Sequence, residues 1–167
     1  MQNLADVLEQ EEIENHGVWV PFGEGETSHI QVAAAGNPAM NRKRIELEKR
    51  YRRKNNLAAN KEIPEEDSEN LYRRAAFGTL FKGWRGPLFE FDAAEFAAQQ
   101  AAAKAKYDSD IEPPPVTPEG GHGPLPFCEP NALWYMEHSK RFRRTVFANA
   151  GSDDTFNRQN LELLGKA

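Results

Sequence analysis

The chain has 167 residues but only one cysteine, Cys128. A single thiol forbids an intramolecular disulfide and any CxxC-type metal or redox motif, a usage that suits a reducing cytoplasm. No run of about 18 apolar residues is present, so no membrane-spanning helix is expected. The opening MQNLADVLEQEEIEN is acidic, with neither a basic leader nor an apolar secretory stretch, and a soluble, unexported protein is expected. Large apolar side chains are also scarce. Leu, Ile, Val and Phe number 33, and the hydrophobic fraction of 39% is swollen by 21 alanines. That places the chain at the edge of foldability. The net charge of −5 is nevertheless too small for a wholly disordered chain. One domain with a thin core is expected, and a large multidomain enzyme is excluded.

What charge there is, is segregated. Residues 1–41 hold seven acids and no Lys or Arg, whereas residues 42–54 hold eight bases (Arg42, Lys43, Arg44, Lys49, Arg50, Arg52, Arg53, Lys54) against Glu46 and Glu48. Acids return at Glu62, Glu65, Glu66, Asp67 and Glu69, and bases at Lys140, Arg141, Arg143 and Arg144. Composition shifts too. Residues 93–105 contain eight alanines and one large apolar anchor, Phe96, and residues 107–126 contain six prolines and three glycines. The first reads as a helix that can bury little, the second as an extended linker.

Periodicity predicts a helix over 4–14 with Leu4, Val7 and Leu8 on one side. Two strands follow, 17–22 and 28–34, joined by turn glycines Gly23 and Gly25. Pro21 marks the first strand as an edge strand or the site of a bulge. Asn37-Pro38 starts a helix running to about Ala59, its apolar stripe formed by Met40, Leu47, Tyr51 and Ala58. Another helix is expected from Glu65 to Lys82, carrying Leu71, Phe77, Leu80, Phe81 and Trp84 near its apolar side and stopped by Gly83, Gly86 and Pro87. Two or three short helices close the chain, the last capped by Ser152 or Asp153 and bearing Phe156, Leu161, Leu163 and Leu164. The expected fold is α+β and mainly helical: an N-terminal β-hairpin followed by a small helical domain with a long flexible insert. Residues 1–86 form its first part, 87–123 the insert, and 124–167 the helices completing the same domain.

Sites of chemistry are hard to find. His16, His29, His122 and His138 lack metal-ligand spacing, Cys128 lacks a nucleophile signature, and PEGGHGPLP is bracketed by prolines and opens no phosphate loop. No catalytic residue, metal site or cofactor is therefore expected, and an enzyme is the least favoured class. The basic run is the strongest feature. As a helix it presents a cationic surface to nucleic acid or, because acids flank it on both sides, to a protein partner or the chain's own acidic segments. Nucleic acid is disfavoured by the net charge. Trp84 and Trp134 are expected in the core, leaving Trp19 for a partner.

The order of motifs is recognisable. A Trp-containing strand and a second strand run into an Asn-initiated basic helix. There follow a Gly-Trp-x-Gly element (Gly83, Trp84, Gly86), a Pro-Phe segment opening an Asn-Ala-Leu helix (Pro126, Phe127, Asn131, Ala132, Leu133), and an Ala-containing stretch ending in Phe (Ala148, Ala150, Phe156). Over about 17–86 and 124–160 this resembles the tail assembly chaperones of long-tailed bacteriophages. It departs from them at Cys128, where similar proteins begin the helix with Ser or Thr, and in the length of 87–123.

The resemblance implies a non-enzymatic assembly factor of the host cytoplasm, absent from the mature virion. Such a factor binds the tape measure protein and helps recruit the tail tube protein. It also implies a longer frameshifted form, with which Gly165-Lys166 is compatible. Arg42, Lys49, Arg50, Arg52, Arg53, Arg141 and Arg144 are the expected polar contacts to partners, and Trp19, Phe22, Leu133 and Phe142 the desolvated centre. Self-association is a further expectation. The competing readings are a structural virion or head-tail connector protein and a small nucleic-acid-binding regulator.

Overall fold

A computed structural model describes residues 3–156. Helix α1 (Leu4–His16) starts at a capping box, in which the Asn3 side chain accepts from the Asp6 amide and the Asp6 carboxylate accepts from the Asn3 amide. Strands β1 (Val18–Phe22) and β2 (Ser28–Val32) form the expected antiparallel hairpin, with Val18, Val20, Phe22, Ser28, Ile30 and Val32 inward. Alternation at period two and β-branched residues explain that pairing. Pro21 lies on the outermost strand, as an edge position requires.

Helix α2 (Pro38–Lys54) begins where expected. The Asn37 side chain accepts from the Met40 amide and donates to the Ala34 and Thr79 carbonyls, all at 2.9 Å, so the cap also ties the helix to the segment before β3. Its end comes earlier than expected. Asn56 takes a positive φ of 49°, Arg52 holds the Ala58 and Lys61 carbonyls at 2.8 and 2.7 Å, and Ala58 is exposed beyond the helix.

Two further expectations are corrected. The helix drawn from Glu65 to Lys82 is α3 (Glu65–Ala76) alone, followed by a turn at Gly78 and by strand β3 (Phe81–Arg85) on the free side of β2. Phe77, Leu80, Phe81 and Trp84 suit a helix by spacing, but aromatic content and an unpaired edge on β2 favour a third strand. Gly83, Trp84 and Gly86 are therefore strand features rather than helix stops. A Cβ on Gly83 would meet the Trp19 ring at 3.3 Å, and one on Gly86, whose φ is 106°, would lie 2.5 Å from the Ser28 Cα. In α1 the stripe is also misplaced. Ile13 is its buried residue, while Leu4 and Leu8 are 74% and 56% exposed. Bonds from the Ala34 amide to the Glu14 carbonyl and from the Gln31 side chain to the His16 carbonyl hold only the C-terminal turns against the sheet.

The insert is more firmly anchored than its composition suggests. A 3-10 turn (Pro87–Phe89) leads into β4 (Glu90–Asp92), α4 (Ala93–Tyr107) and β5 (His122–Pro124), and β4 pairs antiparallel with β5. Helix α4 buries no residue, in keeping with its alanine content. Phe89 before it is buried and stacks on Trp84 with ring centroids 5.1 Å apart. Helices α5 (Glu129–His138) and α6 (Lys140–Ala150) complete the fold, with 153–156 helical and Phe156 buried. Leu161, Leu163, Leu164, Gly165 and Lys166 lie outside the described residues.

The core is an aromatic cluster centred on Phe142. Its ring lies 5.0–6.4 Å from those of Phe81, Tyr135, Phe22, Phe89 and Trp84. Each such ring contributes about 1.5–3 kcal/mol by leaving water, so few residues suffice for a small domain. The Trp84 indole donates to the Leu125 carbonyl at 2.8 Å, and the Tyr135 hydroxyl to the Leu88 carbonyl at 2.8 Å. Burial pushes the Tyr135 hydroxyl up to about 12.

Candidate partner-binding surface

The outer side of α2 is set by its inner side. Met40, Leu47 and Tyr51 face the body, so 3.6-residue periodicity turns Arg42, Ile45, Lys49 and Arg53 away from it. All four are exposed, Ile45 to 48%. Among the described residues Arg42, Lys49 and Arg53 make no salt bridge, whereas Arg50 pairs with Glu46 and Arg44 approaches Glu48 at 3.9 Å. Arg52 serves the loop that follows. The eight bases therefore divide by role, Lys54 standing exposed at the end of the helix. Lys43 turns inward, donating to the Phe77 carbonyl at 2.5 Å with its ammonium 5.2 Å from the Phe77 ring centroid, and burial lowers its pKa. Tyr51 donates to the Asp67 carboxylate at 2.5 Å, and that bond raises the pKa of its hydroxyl.

The second basic cluster is carried by α6. Lys140, Arg141 and Arg144 are exposed around its first turn, where no acid offsets them. Bases at a helix N-terminus oppose the macrodipole by a few tenths of a kcal/mol each, and among the described residues none of the three makes a salt bridge.

The aromatic centre expected for a partner is largely absent from the surface. Phe22 and Phe142 are buried, packed edge to face at 5.7 Å, because the inward positions of β1 and α6 coincide in the core. They cannot contact a partner without unfolding. Trp19 is 37% exposed on the outer sheet face, where the Arg85 guanidinium sits 4.2 Å from its ring centroid. Leu133 is half-buried and lines a groove of about 600 Å³ between α3 and α5 with Glu66, Glu69, Arg73, Arg74 and Glu137. Trp134 is half-buried, its indole donating to the Glu112 carbonyl at 3.1 Å.

The expected contacts thus separate into an α2 face, an α6 cluster, the Trp19 face of the sheet and the Leu133 groove. Ile45 and Arg85, neither among the contacts expected from the sequence, join them. Ile45 was detectable, because it lies opposite the Met40–Leu47–Tyr51 stripe on the helical wheel. Arg85 depends on the pairing of β3 and carries no sequence signal. Among the described residues no group of three or more His, Cys, Asp or Glu side chains is placed to hold a metal ion. Cys128 is the N-cap of α5 and makes no side-chain capping bond. No described helix is long and apolar enough to cross a membrane. Comparison of the chain with protein-family models, curated proteins and solved structures finds no match.

Proposed function

We propose that the chain is a non-enzymatic tail assembly chaperone of a long-tailed bacteriophage, which binds the tape measure protein in the host cytoplasm and is left out of the finished particle. The observation that carries this reading is the outward face of α2, a single exposed isoleucine among three arginine and lysine side chains without ion-pair partners among the described residues. Such a face suits an amphipathic helix with acidic flanks: Ile45 is desolvated at the centre, and the charges at the rim set orientation and encounter rate. The client implied by the sequence resemblance is long and largely helical. Recruitment of the tail tube protein falls to a different surface, for which Trp19 and Arg85 are the candidates.

Co-expression with the tape measure protein tests the proposal. Soluble yield of the client is expected to rise with the wild-type chain, and to fall back when Arg42, Lys49 and Arg53 are all reversed to Glu. Unchanged yield and unchanged co-purification in that triple variant sink the α2 version. Recovery of the chain from purified mature particles favours a connector instead, and a steeply salt-dependent DNA shift favours a regulator.

A further inference from the structure

Residues 111–116, IEPPPV, lie against α4 and α5 and form neither helix nor strand. Three consecutive prolines fix three φ angles, and each pushes the residue before it into extended backbone, so the segment is a stiff, polyproline-like strap. A strap of that kind makes no internal hydrogen bonds, and its backbone must find partners outside itself. Here the partners are side chains. Gln100 of α4 donates to the Ile111 carbonyl at 2.7 Å, and the Trp134 indole donates to the Glu112 carbonyl at 3.1 Å. Asn131 donates to the Val116 carbonyl at 2.8 Å and accepts from the Val116 amide at 2.9 Å. Pro114, midway between the last two anchors, is buried. The strap therefore crosses α5 from Trp134 to Asn131, against the direction of the helix.

Proline-rich ligands are read in this way, by an aromatic ring and fixed donors that meet the carbonyls of a chain already stiffened before it binds. We propose that the Asn131–Trp134 face of α5 is a recognition surface for proline-rich segments, that 111–116 occupies it in cis, and that a proline-rich segment of a partner protein takes its place. The cis occupant defines the ligand. A carbonyl must precede the proline triplet to meet Trp134, and a residue other than proline must follow it, because the Val116 N–H donates to Asn131 and proline has none. The core does not depend on the strap. The rings around Phe142 are those of Phe22, Phe81, Trp84, Phe89 and Tyr135, whereas Glu112, Pro113, Pro115 and Val116 are exposed. The β4–β5 pairing and the bonds from the Leu125 amide to the Phe89 carbonyl and from Asn131 to the Pro126 carbonyl hold the chain beyond the strap, so opening is confined to the stretch between α4 and β5. The inference uses no residue of the α2 face and stands whether or not the proposed client is correct.

Titration calorimetry on the full-length chain tests it, with the synthetic peptide IEPPPVTPE that matches 111–119 as the probe. In the wild type the tethered strap competes. Pro113→Gly, Pro114→Gly and Pro115→Gly together remove the stiffening and the buried ring, and should tighten peptide binding by about tenfold or more as the binding-competent fraction rises. Adding Trp134→Phe, which keeps a ring but deletes the indole donor, should weaken binding again by about tenfold. A peptide with alanine in place of each proline should not bind. The inference is overturned by a triple-glycine variant that keeps the wild-type circular dichroism yet binds no more tightly than the wild type, by binding untouched by Trp134→Phe, or by an alanine peptide that binds equally well. Amide exchange on the wild type adds a measurement that needs no variant. The Val116 amide should exchange by local opening, faster than the Val146 amide in the core and insensitive to low denaturant. Exchange of Val116 through global unfolding alone would mean that the strap never leaves, and that result too overturns the inference.

Discussion

Helix α4 and the α5–α6 pair solve the problem of forming helix in opposite ways. In α4 the local chemistry is favourable throughout: eight alanines within residues 93–105, an Asp92 cap accepting from the Glu95 amide at 2.9 Å, and Lys104 paired with Asp108 at 2.9 Å. It buries nothing. In α5 the cap residue makes no side-chain bond, and α6 places four bases in its opening five residues against the macrodipole. Yet these two helices bury Asn131, Ala132, Met136, Phe142, Val146 and Ala150. Helical propensity builds the first, and apolar burial overrides poor local chemistry in the second.

The contrast can be broken most forcefully at its centre. Phe142→Ala removes the ring shared by five aromatic neighbours and should destabilise the fold by about 3–5 kcal/mol, measured by urea unfolding, with loss of the near-ultraviolet aromatic signal. Asn131→Ala tests how the two regions are joined. The Asn131 amide accepts from the Val116 amide at 2.9 Å and donates to the Val116 and Pro126 carbonyls at 2.8 and 2.9 Å, pinning the proline-rich segment to α5. Its loss should cost about 1–3 kcal/mol, with faster amide exchange at Val116 as the distinguishing sign. The smallest global effect belongs to Ala101→Gly. That change should weaken α4 by about 1 kcal/mol and speed exchange within 93–107, while the melting temperature of the domain stays where it was. A cooperative loss of the whole domain would mean that α4 carries tertiary stability despite its exposure.

Legibility along the chain followed the range of the interactions involved. Residues 17–22 are rich in β-formers and followed by turn glycines, Ile30 and Val32 alternate with polar neighbours, and Asn37-Pro38 precedes a clear apolar stripe, so the hairpin and the start of α2 are legible from local pattern. Phe77, Leu80, Phe81 and Trp84 satisfy a helical period, so local pattern alone predicts a helix there. Their real setting depends on β2, nearly fifty residues earlier, offering an unpaired edge. The candidate surface was half legible for a similar reason. The basic run identified α2, but which bases face outward follows from the packing of Met40, Leu47 and Tyr51. Nothing local shows that the inward positions of Phe22 and Phe142 meet, so the sequence alone offers both to a partner.

The sequence by itself determined the segregation of charge, the mainly helical α+β class and the sparse core, since composition, propensity and short-period patterning act between residues near one another in the chain. Tertiary structure decided the third strand, the anchoring of the insert through Trp84, Phe89 and Asn131, and the separation of core aromatics from exposed ones. Those outcomes rest on contacts between residues distant in sequence. Each forms only because burying apolar surface and satisfying buried polar groups are conditions on the folded whole.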